Sequence, residues 1–157
     1  MKSKVYLETS IISYLTAHPS NDVITAGHQL TTLDWWQNHR RNFEIFASEL
    51  VVQEAGLGNV RMAQKRLDVL KDIGILAVGD EARNLAKILV AKKAVPEKAS
   101  ADALHIAIST IEKMEFLATW NFRHIANAKM QVKIEEAIRA EGFEPSKICT
   151  LEELLGE

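Results

Sequence analysis

Two hydrophobic periods alternate along this chain. Short apolar runs of strand length (Val5, Tyr6 and Leu7, then residues 43–47, 75–78, 116–119 and 147–150) are separated by stretches whose apolar positions recur every three or four residues. The runs predict strands and the recurring positions predict helices with one apolar stripe. A first helix runs through Ile11, Ile12 and Leu15, with Thr9 and Ser10 placed to cap it. Asn21 or Asp22 can cap a second that continues toward Asn38, and a third carries Leu50, Val51, Val52 and Glu54. The break at Gly56, Leu57, Gly58 and Asn59 precedes an amphipathic helix over residues 60–71, with Met62, Leu67 and Leu70 as buried candidates. Asp80 starts a helix through Leu85, Leu89 and Val90, and Val95, Pro96 and Glu97 mark a turn. Beyond it stand a helix over residues 101–108 that is apolar almost all round, another over residues 125–139, and a short one at the C-terminus. Strands that alternate with helices argue an α/β domain with a parallel sheet covered on both faces. No linker, repeat or low-complexity tract interrupts the order, so residues 1–157 read as a single domain.

That architecture gives meaning to four oxygen-bearing residues far apart in sequence. In an open parallel sheet the groups at the carboxyl ends of different strands face one crevice. Glu8 closes the first apolar run, and Asn121 follows the run ending at Trp120. Glu54 lies three and four residues after Val51 and Leu50, on the sheet-facing stripe of its helix. Asp102 stands in the first turn of the apolar helix, where the backbone dipole alone would also favour an acid. Carboxylates that share a crevice repel one another and cost several kcal/mol each to desolvate, so they need protons or cations. Hard oxygen donors select Mg²⁺ or Mn²⁺, and the chemistry such a centre serves is hydrolysis of a phosphodiester, with no side-chain nucleophile required. His105 shares a helical face with Asp102, which places it beside the centre or makes it a buried structural histidine.

Composition narrows the field. The proportions, 47% hydrophobic and 25% charged, are globular. No stretch is long and apolar enough for a membrane helix, and Met1, Lys2, Ser3 and Lys4 lead directly into a strand without the apolar core of a signal peptide, so a cytoplasmic protein is expected. The net charge of −2 excludes nucleic-acid binding by bulk electrostatics. Any such affinity is local, with Lys2 and Lys4, Arg40 and Arg41, Lys92 and Lys93, and above all Arg123 beside Asn121 as candidates. Cys149 is alone and reads as a buried thiol in the last strand. Trp35 and Trp36 cannot both face one core, so one ring is a hint of an interface. The chain has no zinc-ligand spacing, no Walker-type loop and no Gly-x-Gly-x-x-Gly after a strand.

The segments Val5 to Ser10, Ser48 to Glu54, Asp102 to Ala107 and Leu117 to Ile125, taken in order and spacing, resemble the PIN-domain ribonucleases, particularly the VapC-like toxins of toxin–antitoxin pairs. The resemblance covers nearly the whole sequence. It implies a three-layer α/β/α sandwich, Mg²⁺- or Mn²⁺-dependent cleavage of RNA, a homodimer and an inhibitory antitoxin. By position Glu8, Glu54 and Asp102 match the first three acids and Asn121 the fourth place, with Thr9 or Ser10 matching the hydroxyl that supports the first metal-binding group. Two departures stand out: the family's first acid is generally Asp, and its fourth is commonly an acid. Two other readings compete with the enzyme. One is a catalytically impaired PIN scaffold that binds RNA or a protein; the other is a phospho-accepting receiver domain. The receiver reading lacks the acidic pair after the first strand, since Thr9 follows Glu8.

Overall fold

The computed structural model describes residues 1–156. Its centre is a five-stranded sheet in the order β3-β2-β1-β4-β5, with every neighbouring pair parallel. The strands are β1 (Ser3–Leu7), β2 (Phe43–Ser48), β3 (Gly74–Leu76), β4 (Phe116–Ala118) and β5 (Lys147–Cys149). Around it lie α1 (Thr9–Thr16), α2 (Val23–Asp34), α3 (Glu49–Ala55), α4 (Val60–Leu70), α5 (Asp80–Ala91), α6 (Ser100–Ile111) and α7 (Ala128–Ala140). Parallel neighbours require crossovers, and right-handed crossovers assign helices to faces by the direction in which the chain steps across the sheet. Steps from β1 to β2 to β3 carry α1 to α4 to one face, and steps from β3 to β4 to β5 carry α5 to α7 to the other. The packing agrees: α1 touches α2, α3 and α4, while α5 touches α6 and α7. The result is the α/β/α sandwich expected from the sequence.

Val5, Tyr6 and Leu7 of β1 and Leu117 and Ala118 of β4 are fully buried, as strands covered on both faces must be. Ile11 and Ile12 from α1 and Ile106, Ala107 and Ile108 from α6 close over them from the two helical layers. Each large aliphatic side chain so buried contributes about 1.5–3 kcal/mol of transfer free energy. Gly74 in β3 is held to glycine by close approach, because a Cβ there would stand 2.9 Å from the Phe46 ring.

Several boundaries differ from the sequence reading, each for a local reason. Glu8, not Thr9 or Ser10, occupies the N-cap of α1, and it makes no side-chain cap bond. Asp22 caps α2 by accepting from the Thr25 N–H, but α-helical geometry ends at Asp34 and a π-helical turn, Trp35–His39, carries the chain on. Strand β3 ends at Leu76 because the Val78 N–H turns to the Glu49 carboxylate at 2.7 Å. Helix α7 begins at Ala128 because the Asn121 carbonyl takes the N–H groups of Ile125 and Ala126, and Asn127 then caps the helix. In α4, Ala63 and Leu70 are buried while Met62 and Leu67 are only partly covered. Trp35 is fully buried, and Trp36 is half-buried beneath the Arg40 guanidinium, 4.1 Å from the ring centroid. That stacking takes Arg40 from the free cations and leaves no bare ring in the pair.

Candidate metal centre

The strand order turns around between β1 and β4, and the crevice beyond their carboxyl ends is the natural ligand site of such a sheet. Glu8 leaves β1 at that point, with its backbone N–H bonded to the Ala118 carbonyl of β4 at 3.0 Å. Although its side chain is only 6% exposed, it is not bare. Its Oε1 accepts from the Ser10 hydroxyl at 2.5 Å and the Thr119 hydroxyl at 2.6 Å. Ser10 is itself fixed, because its Oγ accepts the Trp120 N–H at 2.8 Å.

Glu54 arrives from α3, which Ser48 starts by accepting the Val51 N–H. Its Oε1 accepts from the Thr9 hydroxyl at 2.5 Å and faces His105 Nε2 at 2.7 Å. The two adjacent hydroxyls after β1 therefore serve different acids, Ser10 holding Glu8 and Thr9 holding Glu54. Burial pushes the Glu54 carboxyl up, but the hydrogen bonds from His105 and Thr9 outweigh it and hold the group below the usual glutamate range.

His105 is fully buried on α6. Its Nδ1 lies 2.7 Å from the Tyr6 hydroxyl, which in turn lies 2.8 Å from Ser48 Oγ. One ordering of protons satisfies every group: Ser48 donates to Tyr6, Tyr6 donates to His105 Nδ1, and Nε2–H donates to the Glu54 carboxylate. Burial drives the Tyr6 phenol far above its ordinary range, so the hydroxyl stays a donor.

Asp102 sits half-buried in the first turn of α6. Burial raises its carboxyl above the usual aspartate value and the charge of Glu8 adds to that, while a hydrogen bond from Asn121 and the proximity of His105 and His124 act the other way. The Asn121 side chain is thus near enough to Asp102 to act on its carboxyl. Its Oδ1 is occupied in a turn, accepting the N–H groups of Arg123 at 3.2 Å and His124 at 3.1 Å. Arg123 is exposed.

Glu8, Glu54 and His105 bring one ligand atom each within 4.8 Å of one another. Asp102 is not part of this trio, although it feels the charge of Glu8. The donor set fits a hard divalent cation at the carboxylates. Oε1 of both Glu8 and Glu54 is taken by hydroxyl or imidazole donors, and Oε2 of each has no hydrogen bond among the described residues. His105 is a poorer candidate ligand, because Nδ1 is taken by Tyr6 and Nε2 by Glu54. Its place is behind the carboxylate, where it orients a metal-binding group and keeps it ionised.

Sequence reasoning named Glu8, Thr9, Ser10, Glu54, Asp102, His105 and Asn121 and missed Tyr6, Ser48 and Thr119. Tyr6 was legible in principle, since a phenol inside a strand buried on both faces must find a partner. Ser48 and Thr119 carried no signal beyond their positions at strand ends.

The sequence matches no known family model, and no curated protein matches it significantly. Solved structures do match. VapBC2 from Rickettsia felis, bound to a DNA fragment from its promoter, aligns with a TM-score of 0.58 at 14% identity, covering 94% of this chain and 98% of that one. VapC20 of Mycobacterium tuberculosis, described as a sarcin–ricin loop cleaving toxin, aligns with a TM-score of 0.58 at 12% identity, covering 76% of this chain and 91% of that one. Together with the all-parallel sheet order, these likenesses establish that the chain has the PIN-like α/β/α fold of the VapC toxins.

Proposed function

We propose that the protein is a divalent-metal-dependent endoribonuclease, acting as the toxin of a toxin–antitoxin pair. The observation that carries the reading is the pair of anchored carboxylates, Glu8 and Glu54, which bring ligand atoms within 4.8 Å of one another, each with one oxygen saturated by protein donors and the other without a hydrogen bond among the described residues. A bound Mg²⁺ or Mn²⁺ would supply Lewis-acid polarisation of water and of phosphate oxygens, and neutralise charge on the phosphodiester. Glu8, Glu54 and Asp102 would hold it.

The chain's own residues then have distinct tasks. Ser10 and Thr119 fix Glu8, and Thr9 and His105 fix Glu54, so neither carboxylate has to be reorganised when a cation or phosphate arrives. Asn121 keeps Asp102 in place through its amide. Arg123, exposed beside Asn121, contacts an RNA phosphate. In the hydrolysis a water oxygen bonds to phosphorus, the bond to the leaving ribose oxygen breaks, and the water proton is lost to solvent or a carboxylate. A homodimer, an antitoxin partner and a cytoplasmic setting belong to this reading through the resemblance to VapC-like toxins.

The test is RNA cleavage by wild type and Asp102→Asn with Mg²⁺ or Mn²⁺, alongside calorimetric titration with Mn²⁺. Cleavage by the wild type that Asp102→Asn loses is the expected result. Undiminished cleavage by the variant overturns the mechanism. A wild type that neither takes up Mn²⁺ nor cuts RNA would instead be the impaired scaffold, with the Asn121 carbonyl committed to its turn.

A further inference from the structure

A cleft with no residue of the acid cluster in its lining has a different character. It encloses about 830 Å³ between the end of α5, the turn leading into α6 and the first turns of α7. Lys93, Lys129 and Lys133 stand around it, Val95 and Met130 form part of its floor, and Glu97 is the one acid among its described lining residues. All three lysines are exposed. None of them forms an ion pair among the described residues, whereas Lys92 next to Lys93 is held by Glu141 at 3.5 Å. In a chain of net charge −2 this is a local reversal of sign.

Both walls of the cleft lead along the chain to residues of the acid cluster. Glu97 begins the short turn that leads into α6, whose first turn carries Asp102. Lys129 follows the loop that starts at Asn121 and is capped by Asn127. The cleft is thus tied along the chain to the two segments that carry Asp102 and Asn121.

We propose that this cleft binds the phosphodiester backbone of the single-stranded RNA on its way to Glu8, Glu54 and Asp102, an inference that rests on the nuclease reading. Lysines act as point charges toward phosphate and read no base, which suits a track rather than a recognition pocket. Unstacked bases have an apolar surface in Val90, Pro96 and Met130.

The experiment measures binding of a short fluorescein-labelled 2′-O-methyl oligoribonucleotide, which cannot be cut through its 2′ oxygen, to the full chain in EDTA at several salt concentrations. Single-stranded contacts contribute a slope of about 0.7 in log K against log salt per phosphate, so three lysines account for about 2. The triple variant Lys93→Ala, Lys129→Ala, Lys133→Ala is expected to bind at least about tenfold more weakly and to lose about that slope. Removal of three charges from the opposite layer, with Arg61→Ala, Lys65→Ala and Lys71→Ala, is expected to change neither. Unchanged affinity and slope in the cleft variant, in a protein whose wild type cuts RNA, place the strand elsewhere and overturn the proposal while the nuclease stands. Lysine-dependent binding by a wild type that never cuts RNA in Mn²⁺ defeats the nuclease reading and leaves the cleft as an RNA site. Binding of a poly-glutamate peptide but not the oligonucleotide makes the cleft a protein interface and overturns the proposal.

Discussion

His105 Nε2 lies 2.7 Å from Glu54 Oε1, and this contact joins the two helical layers across the end of the sheet. Helix α6 lies on one face and α3 on the other, and Tyr6 of β1 ties the imidazole to the strand between them at 2.7 Å. Loss of the ring leaves the Tyr6 hydroxyl without its acceptor, removes a donor from Glu54 and opens a cavity in a fully buried position. His105→Ala is therefore expected to lose about 2–4 kcal/mol of stability in urea denaturation. Tyr6→Phe, which strips only the hydroxyl, is expected to lose about 1–2 kcal/mol and to weaken Mn²⁺ binding, since His105 can then rotate away from Glu54. A Tyr6→Phe protein with wild-type Mn²⁺ affinity would show that the imidazole holds its place without the phenol.

Asp102 is the group that the metal-free fold tolerates least. Burial and the Glu8 charge raise its carboxyl above the unfolded value. The folded state then holds the proton more tightly than the unfolded state, so the group's contribution is full at low pH and declines as pH rises through the folded value. Asp102→Asn removes that decline. The metal-free variant is expected to be more stable than wild type near neutrality, with the difference closing below about pH 3, where the aspartate is protonated in both states. Mn²⁺ should reverse the ranking, since a cation at a hundredfold excess over its Kd adds about 2.7 kcal/mol to a protein that binds it only when folded. Glu54 runs in the opposite sense: its lowered carboxyl contributes stability above the usual glutamate range that is lost as pH falls through the folded value. The comparison of Asp102→Asn with wild type cancels this common component.

How legible the site was in the sequence depends on which link of the chain is asked. The placement of Glu8, Glu54, Asp102 and Asn121 at one end of the sheet followed from period and topology, because parallel order forces the carboxyl ends together. What each side chain does there did not follow. Thr9 and Ser10 read as helix caps, yet a carboxylate is a stronger acceptor than an exposed turn offers, so both hydroxyls turned to acids and the cap of α1 passed to Glu8. Asn121 read as a metal-shell oxygen, but its carbonyl serves the backbone of Arg123 and His124. Those choices depend on competition among partners that only the folded chain brings within reach.

Asn121 yields a prediction from this division of labour. In Asn121→Asp one carboxylate oxygen can still accept from the Arg123 and His124 N–H groups, but the other replaces the amide donor that faces Asp102. A favourable hydrogen bond becomes a repulsion between half-buried acids. The metal-free variant is expected to lose about 1–3 kcal/mol. The added charge should strengthen Mn²⁺ binding by about tenfold, or about 1.4 kcal/mol, in calorimetric titration. Weaker Mn²⁺ binding in the variant would mean that Asn121 stands outside the cation's reach.

Cys149, whose carbonyl accepts the Thr119 N–H at 3.0 Å, gives a check on the packing of β5. The thiol is 4% exposed, and burial pushes its pKa up to about 12. Alkylation proceeds through the thiolate, so the native protein should resist iodoacetamide near neutral pH while the urea-unfolded chain reacts readily. Rapid labelling of the folded protein, followed by mass spectrometry, would show that β5 opens at the sheet edge.

The extra methylene of Glu8 is matched by its surroundings. Ser10 and Thr119 meet Oε1 at 2.5 and 2.6 Å, and Ser10 is tied back to the Trp120 N–H at 2.8 Å, so neither hydroxyl is free to follow a shorter side chain. Glu8→Asp draws the carboxylate back by about 1.5 Å, one carbon–carbon bond. Two hydrogen bonds to a charged acceptor are then stretched or lost in a buried position, at about 1.5–3 kcal/mol each before relaxation. The substitution that brings the chain closer to the aspartate usual in PIN-domain nucleases is therefore expected to cost about 2–4 kcal/mol in urea denaturation and to weaken Mn²⁺ binding, because the carboxylate withdraws from the group it forms with Glu54 and His105. Equal stability together with tighter Mn²⁺ binding would show that the hydroxyls adapt to either acid, and that the length of Glu8 is not fitted to this site.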